Sequence, residues 1–177
     1  DKSLSIAENF KDQDDRISII SNTYRKGYSH SYRDTFNFYG SKSDFFAWAS
    51  GHDIHHKEWL SNMLQAMLED KDIAIVYPLN DRINKNDNYI RDENIYFHAT
   101  SKYIILRLIR VFFYGRGFGN IIYGLFRSDH LRKCGIYRKV LVADTVLIFE
   151  MLLLGKIKQV NKILWHRRFD YFTSSNK

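Results

Sequence analysis

Cysteine, proline and long apolar runs are all scarce in this sequence. Of its 177 residues, one is cysteine, Cys134, and one is proline, Pro78. A single cysteine excludes an internal disulfide framework and a zinc site built from several thiolates, and it suits a reducing compartment. No apolar run reaches the roughly 18 residues of a membrane-spanning helix, since Asp144 and Glu150 interrupt the stretch from Val140 to Leu154. The chain must therefore fold by burying an apolar core.

Charge is unevenly distributed along the chain. The formal net charge is +7, yet residues 1–99 carry 12 basic and 16 acidic groups, whereas residues 100–177 carry 15 basic and 4 acidic groups. A basic half of this kind favours a polyanionic partner, such as phosphates, an anionic membrane surface or nucleic acid. A solvated basic surface without a partner is the plain alternative.

Helical and strand patterns alternate along the chain. Apolar spacing predicts helices over residues 3–11 (with Leu4, Ile6, Ala7 and Phe10 inward), 28–39, 57–69, 101–114, 128–134 and 143–154. Runs of β-branched and apolar residues predict strands over residues 16–21, 45–50, 73–78 and 121–126, with one or two more in 156–165. Gly155 stands where a glycine commonly ends a helix, and the Asn- and Asp-rich residues 80–94 indicate a surface loop with turns.

This alternation predicts an α/β sandwich around a mainly parallel sheet. We expect one partial domain over residues 1–172, followed by a disordered tail at residues 173–177. The chain opens without an initiator methionine, and we expect it to be a fragment or a processed product.

The segment from Phe45 to Leu60 places an apolar run directly before Gly51-His52-Asp53. A carboxylate in a loop after a buried strand can hold a hard divalent cation, which in turn binds a diphosphate whose oxygens and waters supply the other ligands. The nearby histidines suggest zinc as an alternative, but they lack the i, i+4 helical pairing with a distant third ligand. A simple helix cap by Asp53 also stays open.

Three further segments carry polar groups that could take part in catalysis or substrate binding. Asp144 lies at the head of an apolar helix, where it could cap the helix or act as a general base toward a hydroxyl. Arg167 and Arg168 could clamp phosphates or simply be surface charge. The glycine-rich loop that ends at Gly119-Asn120 is interpreted as a flexible loop near a substrate.

The helix predicted over residues 101–114 combines basic and apolar residues. Lys102, Arg107 and Arg110 lie close together on it, with isoleucine, leucine and phenylalanine around the rest. Such a helix could rest on an anionic membrane surface. The alternative is that it packs on its own core.

Short motifs follow one another in a characteristic order. They are Asp15-Arg16-Ile17, Asn22 with Gly27, Phe46 through Asp53, Trp59 through Pro78, Gly124 through Ser128, Leu131 through Gly135, Ala143-Asp144, and Trp165 through Arg168. Their order and spacing resemble those of inverting glycosyltransferases of the family 2 type. The resemblance implies a GT-A-like α/β/α sandwich that lacks its first strands before Asp1, and we expect such a fragment to be weakly active or inactive by itself.

The resemblance also implies a reaction: transfer of a sugar, with inversion, from a nucleotide-diphospho-sugar donor to an acceptor hydroxyl in polysaccharide or glycoconjugate synthesis. Asp53 would help to hold Mg²⁺ or Mn²⁺ against the donor diphosphate, and Asp144 would deprotonate the acceptor. The remaining implied site residues are Asp1, His52, Arg167 and Arg168 on the donor side and Gly119 and Asn120 on the acceptor side.

The implied acceptor is a saccharide or a lipid-linked molecule. We expect a cytoplasmic protein at the inner face of the membrane, with peripheral membrane contact and no nucleic-acid partner. Two positions depart from the family pattern, since Gly51 replaces the first residue of its Asp-x-Asp motif and Ala143 replaces the glutamate of its Glu-Asp motif.

Two other classes of function stay open from the residues alone. A metal-dependent phosphohydrolase could use His30, His52-Asp53 and Asp144, but such sites normally occur on all-helical scaffolds. A non-enzymatic module could use the basic half of the chain to bind a polyanion or a membrane.

Overall fold

A computed structural model describes residues 2–24, 26–93, 95–114 and 118–169 of the chain. Within these residues the helices and strands follow in the order α1 Ser3–Lys11, α2 Tyr28–Phe38, β1 Phe45–Phe46, β2 Ile54–His55, α3 Trp59–Leu68, β3 Ile73–Ile83, β4 Tyr89–Glu93, α4 Ile104–Tyr114, α5 Phe118–Ile121, β5 Leu125–Arg127, α6 Ser128–Leu131, α7 Ala143–Leu154 and β6 Lys156–Arg168. Asp1, residues 115–117 and the expected tail at 173–177 lie outside the described residues.

All of these strands belong to one sheet with β3 and β6 at its centre. The strand order is β1-β5-β3-β6-β2, and β4 pairs with the far half of β3. Strands β3 and β6 are parallel, whereas the other four pairings are antiparallel. The sheet is therefore mixed, and the expectation of a mainly parallel one is corrected. A helical crossover separates β3 from β6, as a parallel pair requires, but only a short turn joins β3 to β4.

Helices cover both faces of the sheet. On one face, α3 packs Trp59, Met63 and Met67 against buried side chains of the strands, including Val76 and Leu164. The other face carries a larger cluster, which joins α2, α4, α5, α6 and α7 to the sheet and includes Phe36, Val111, Ile121, Leu131, Leu147 and Met151. The α/β/α sandwich expected from the sequence is confirmed.

The β3–β4 hairpin occupies residues that were expected to form a loop. Strand β3 continues through Pro78 to Ile83, and its pairing with β6 shifts register at Pro78, which has no N–H to donate. The Asn84 side chain accepts the backbone N–H groups of Asn86 and Asn88 at 2.8 and 3.1 Å and so closes the turn. The asparagine-rich composition therefore predicted the turn but did not predict the two strands that flank it.

Two local predictions near the start of the chain are wrong. Residues 16–21 form no strand, because no described strand pairs with them and β-branched residues alone do not make one. Helix α1 has the expected bounds, but Leu4, Ile6 and Phe10 are each more than half exposed rather than inward.

Other boundaries shifted by a few residues. Only Phe45–Phe46 of the strand expected at 45–50 is extended and paired, and the strand expected at 121–126 begins at Leu125. Within the described part of the chain, no helix combines the length and apolar character needed to cross a membrane.

Gly155 ends α7 for a reason different from the expected one. Its φ is −162°, which is extended backbone rather than the left-handed conformation of a typical glycine cap. A Cβ atom at this position would lie 2.6 Å from the carbonyl oxygen of Asp72 and 2.8 Å from Cβ of Ala74. The glycine is therefore required by the close approach of α7 to the start of β3.

Replacement of Gly155 by alanine tests this close approach. We expect Gly155→Ala to lower the free energy of unfolding by about 1–3 kcal/mol, since the backbone on both sides must move. Gly51→Ala is the matched control, because no atom of the described residues other than its chain neighbours lies within 4 Å of a Cβ there, and its effect should stay within about 0.5 kcal/mol. Urea unfolding followed by circular dichroism measures both, and equal midpoints would contradict the packing argument.

Candidate active site

A pocket of about 420 Å³ opens at the N-terminal end of α7. Asp144, Arg167 and Gly119 line it, and the remaining lining residues are Tyr28, Tyr32, Ile122, Tyr123 and Tyr137. Three residues that the sequence singled out separately, from α5, α7 and the end of β6, thus meet around one cavity.

Asp144 occupies the first turn of α7 without acting as its N-cap. The N-cap residue is Val142, which makes no side-chain capping bond, and the Asp144 Oδ1 atom accepts the Thr145 N–H at 2.8 Å. Among the described residues no hydrogen bond occupies Asp144 Oδ2. The carboxylate therefore has an oxygen available to a ligand, at a helix end that favours negative charge.

The residue before α7 is conformationally strained. Val142 has φ 52° and ψ 45°, a left-handed conformation in which a β-branched side chain is rare and costs on the order of 1–3 kcal/mol. Tyr137, which lines the pocket, also has a positive φ of 46°. Strain of this kind concentrates where the backbone must hold a side chain at a functional site.

Tyrosine rings form one wall of the pocket. The ring centres of Tyr32 and Tyr137 lie 4.4 Å apart, and the Tyr32 and Tyr123 hydroxyls are 3.1 Å apart. Burial raises the pKa of Tyr32 and of Tyr137, and the negative charge of Asp144 adds to both effects. The charge of Asp53 also raises the pKa of Tyr32. The Tyr32 and Tyr137 hydroxyls therefore stay neutral and able to donate hydrogen bonds.

Sequence reasoning missed these tyrosines. The only available signal was the spacing of Tyr28 and Tyr32, which places both on one face of α2. Tyr123 and Tyr137 come from unrelated segments, and nothing in their local sequence indicates that they meet.

Arg167 is held in the pocket by a chain of buried amides. Its Nη1 atom donates to Asn120 Oδ1 at 2.8 Å, and Asn120 Nδ2 donates to Asn80 Oδ1 at 2.7 Å. Asn80 in turn donates to Glu93 Oε2 at 2.8 Å. The guanidinium also lies 5.6 Å from the Trp165 ring centre. Asn120 is thus buried behind Arg167 and orients it, whereas Gly119 borders the pocket itself.

Asp53 anchors the loop before α3 to the end of β6. Its side chain is only 2% exposed, and its Oδ1 atom accepts the Arg168 N–H at 2.9 Å. It does not cap α3, because that helix begins at Trp59 with Glu58 as its N-cap. His52, next to it, is largely exposed and contacts the Ser50 hydroxyl at 2.9 Å.

Arg168 acts as a clamp between two loops rather than as a pocket residue. Its guanidinium donates to the carbonyl oxygens of His52 and Asn84 at 2.8 and 2.9 Å and pairs with Asp87 at 2.5 Å. Of the two adjacent arginines, Arg167 is therefore the one that faces the pocket with Asp144.

Asp53 is the carboxylate that the sequence suggested as a ligand for a divalent cation at this end of the sheet. No group of three or more His, Cys, Asp or Glu side chains is placed to hold a metal within that part of the chain. Among the same residues, Asp53 Oδ2 has no hydrogen-bond partner, so Asp53 fits as a single ligand provided that phosphates and water supply the rest. His30 is exposed on α2 and the scaffold contains a sheet, which argues against the phosphohydrolase alternative.

The α/β/α sandwich with its mixed sheet fits the class of GT-A-like α/β folds. The sequence profile of glycosyl transferase family 2 matches residues 1–135, and the chain therefore belongs to glycosyl transferase family 2. No curated protein matches the chain. The matched residues include Asp53, Gly119 and Asn120, whereas Asp144 and Arg167 lie beyond them, so the assignment of those two depends on their geometry.

The buried tyrosines predict how stability changes in alkali. A raised pKa favours the protonated tyrosine in the folded state, so this stabilisation is complete below the unfolded pKa of about 10 and is lost as pH rises above it. We expect absorbance at 295 nm to show tyrosines that ionise only on unfolding. Tyr32→Phe should remove amplitude from that late phase, and a late phase of unchanged amplitude would contradict the pocket geometry.

Proposed function

We propose that this protein transfers a sugar, with inversion, from a nucleotide-diphospho-sugar to an acceptor hydroxyl in polysaccharide or glycoconjugate synthesis. The observation that carries the proposal is the presence of Asp144 and Arg167 in one pocket. Membership of glycosyl transferase family 2 supports it, since the family implies a nucleotide-sugar donor and an acceptor.

Asp144 is the proposed general base. Its carboxylate accepts the proton of the acceptor hydroxyl while that oxygen attacks the anomeric carbon and the nucleotide diphosphate leaves from the opposite side. A single displacement of this kind inverts the anomeric carbon. The position of Asp144 at the pocket, with one oxygen free of described hydrogen bonds, supports this role.

Arg167 is the proposed partner of the leaving diphosphate. A guanidinium pairs well with phosphate oxygens, and charge that develops on the leaving group is stabilised best by a group held in place beforehand. The bond from Arg167 to Asn120 and the flanking aromatic rings supply that restraint.

The family generally uses a divalent metal, and we propose Asp53 as the protein ligand for Mg²⁺ or Mn²⁺. Bound there, the cation would neutralise the donor diphosphate. His52 is exposed beside Asp53 on the proposed donor side, and Arg168 holds their loop in place. Asp1, also proposed for the donor side, lies outside the described residues.

The acceptor is proposed to enter on the side of Gly119. Among the described residues, and apart from its chain neighbours and its own helix backbone, no atom lies within 4 Å of a Cβ built on Gly119. This space supports entry of a saccharide or of the sugar of a lipid-linked molecule on that side. For location we infer the cytoplasm. Burial raises the pKa of the Cys134 thiol to about 12, and a single protonated thiol suits a reducing compartment.

Replacement of Asp144 by asparagine tests the catalytic assignment. We expect Asp144→Asn to lower kcat by about 10²–10⁴-fold, the usual contribution of a general base, with little change in donor binding. Turnover of a panel of nucleotide-diphospho-sugars is measured as nucleotide release, and donor binding by tryptophan fluorescence. Asp129→Asn is the matched control, since Asp129 also lies in the first turn of a helix but outside the pocket; equal turnover in the two variants would remove Asp144 as the base.

A second pair of variants separates a metal ligand from a structural anchor at Asp53. Asp53→Asn keeps an oxygen that can accept the Arg168 N–H, so we expect the free energy of unfolding to change little. The affinity of Asp53→Asn for Mn²⁺, measured with a nucleoside diphosphate present, should fall by more than about tenfold. Loss of a residue that only supports a metal ligand lowers metal affinity by about that factor. Asp53→Ala should also destabilise the fold, by about 1 kcal/mol, because it removes the acceptor of the partly buried Arg168 N–H.

Electron paramagnetic resonance of free Mn²⁺ measures the affinity, and urea unfolding measures the stability. Unchanged Mn²⁺ binding in Asp53→Asn would show that Asp53 serves only as an anchor.

A further inference from the structure

Helix α4 exposes apolar side chains and buries an arginine. Arg107 is 6% exposed, whereas Phe112 is 81% exposed. A helix on the surface of a soluble domain normally has the reverse arrangement. The exposed set, called here the α4 face, consists of Ile105, Leu106, Ile109, Phe112 and Phe113.

Hydrogen bonds fix this orientation. The Arg107 Nε atom donates to the Leu152 carbonyl at 3.1 Å, and its Nη1 atom donates to the Ser101 carbonyl at 3.0 Å. Val111, one turn further along, is buried in the main core. A rotation that buried the α4 face would leave the guanidinium and these carbonyl groups unpaired, which is costly. The α4 face therefore points outward as a stable property of the fold.

A second exposed apolar segment borders the Asp144 pocket directly. Arg107, near the start of α4, contacts the C-terminal end of α7, and Gly119, in α5, lines the pocket with Asp144 at the N-terminal end of α7. The loop Val140-Leu141-Val142, which leads into α7, is also exposed, with Leu141 at 91%.

The sequence stretches that supply these residues are rich in basic groups, and their nearest acidic groups, Asp129 and Asp144, stand at the borders of the stretches. Residues 95–128 contain no Asp or Glu, and residues 130–143 contain none either. The exposed basic residues in the same stretches include Lys102, Arg110, Lys133 and Lys139. Positive charge beside exposed apolar groups attracts anionic lipid headgroups, whereas pairing with the same face of a second copy would bring like charges together. Tyr103 is exposed at the start of the helix, and tyrosine favours the membrane–water interface.

We propose that the α4 face and the loop of residues 140–142 insert into the interfacial layer of an anionic lipid membrane. This arrangement places the Asp144 end of α7 next to the lipid surface. The contact itself does not depend on the reaction. That it would favour an acceptor carried by a lipid rests on the proposed function.

Vesicle binding by the intact chain tests this proposal. The protein is sedimented with vesicles of phosphatidylcholine alone or of phosphatidylcholine with phosphatidylglycerol. We expect binding to the anionic vesicles that weakens in high salt and is much lower on phosphatidylcholine alone. The variant Phe112→Ser/Phe113→Ser should reduce the partition coefficient by at least about tenfold, because two phenyl groups no longer enter the lipid.

The matched control is Leu60→Ser/Leu68→Ser, which removes two exposed leucines from α3 on the opposite face of the sheet. It should bind vesicles like the unaltered chain, and circular dichroism and urea unfolding verify that both variants are folded. Failure of the unaltered chain to bind anionic vesicles, or an equal loss in both variants, would overturn the proposal. So would a dimer in sedimentation velocity that the Phe112→Ser/Phe113→Ser variant abolishes without any lipid binding.

No donor is present in these measurements. Normal vesicle binding together with equal turnover in Asp144→Asn and Asp129→Asn would therefore contradict the proposed reaction alone, and a transferase that does not bind anionic vesicles would contradict the membrane contact alone.

Discussion

The parallel pairing of β3 with β6 is the contact on which the rest of the structure depends. It runs from Ile73 opposite Lys156 to Ile83 opposite Arg168, and so continues to the last residues of both strands. This extension carries Arg167 to the pocket and brings the Arg168 N–H to Asp53. It also places His166 opposite Asp81, and the His166 Nδ1 atom lies 2.8 Å from Asp81 Oδ1. One ladder of backbone hydrogen bonds thus positions groups on both sides of the candidate site.

The polar groups at that end of the sheet are connected rather than isolated. Arg167, Asn120, Asn80 and Glu93 form a continuous chain of hydrogen bonds, and Arg82 pairs with the same Glu93. Buried polar networks are stable only when their members are satisfied, and they then hold each member in a single orientation. A guanidinium restrained in this way loses little freedom when it meets an anion, which is the condition for electrostatic stabilisation of a leaving group.

The sequence predicted the helices better than the sheet. The predicted bounds of α2, α3 and α7 lie close to those in the structure, because the apolar spacing of these helices reflects their packing against the sheet. The apolar positions of α1 were misleading, since nothing described covers them. The β3–β4 hairpin was missed because Pro78 was taken as the end of a strand, although a register shift accommodates it. Strand direction could not be predicted, because it depends on which segments pair.

For the site, the sequence singled out Asp144, Arg167 and Gly119 but could not show that they share a cavity. It also could not separate Arg167 from Arg168. Adjacent residues of a strand point to opposite sides, so one guanidinium reaches the pocket and the other the loops at His52 and Asn84. The tyrosine wall of the pocket could not be predicted from the sequence, because α2, Tyr123 and Tyr137 approach one another only in the folded chain.

The residue at position 119 helps to set the volume of this pocket. A Cβ atom added there would meet no atom of the described residues within 4 Å, apart from its chain neighbours and its own helix backbone, and a larger side chain would take its volume from a cavity of about 420 Å³. Substitutions at this one position could therefore narrow the range of molecules admitted while leaving the core, the arginine network and α7 untouched. Related chains with bulkier residues here would form a graded series of smaller chambers on an unchanged scaffold.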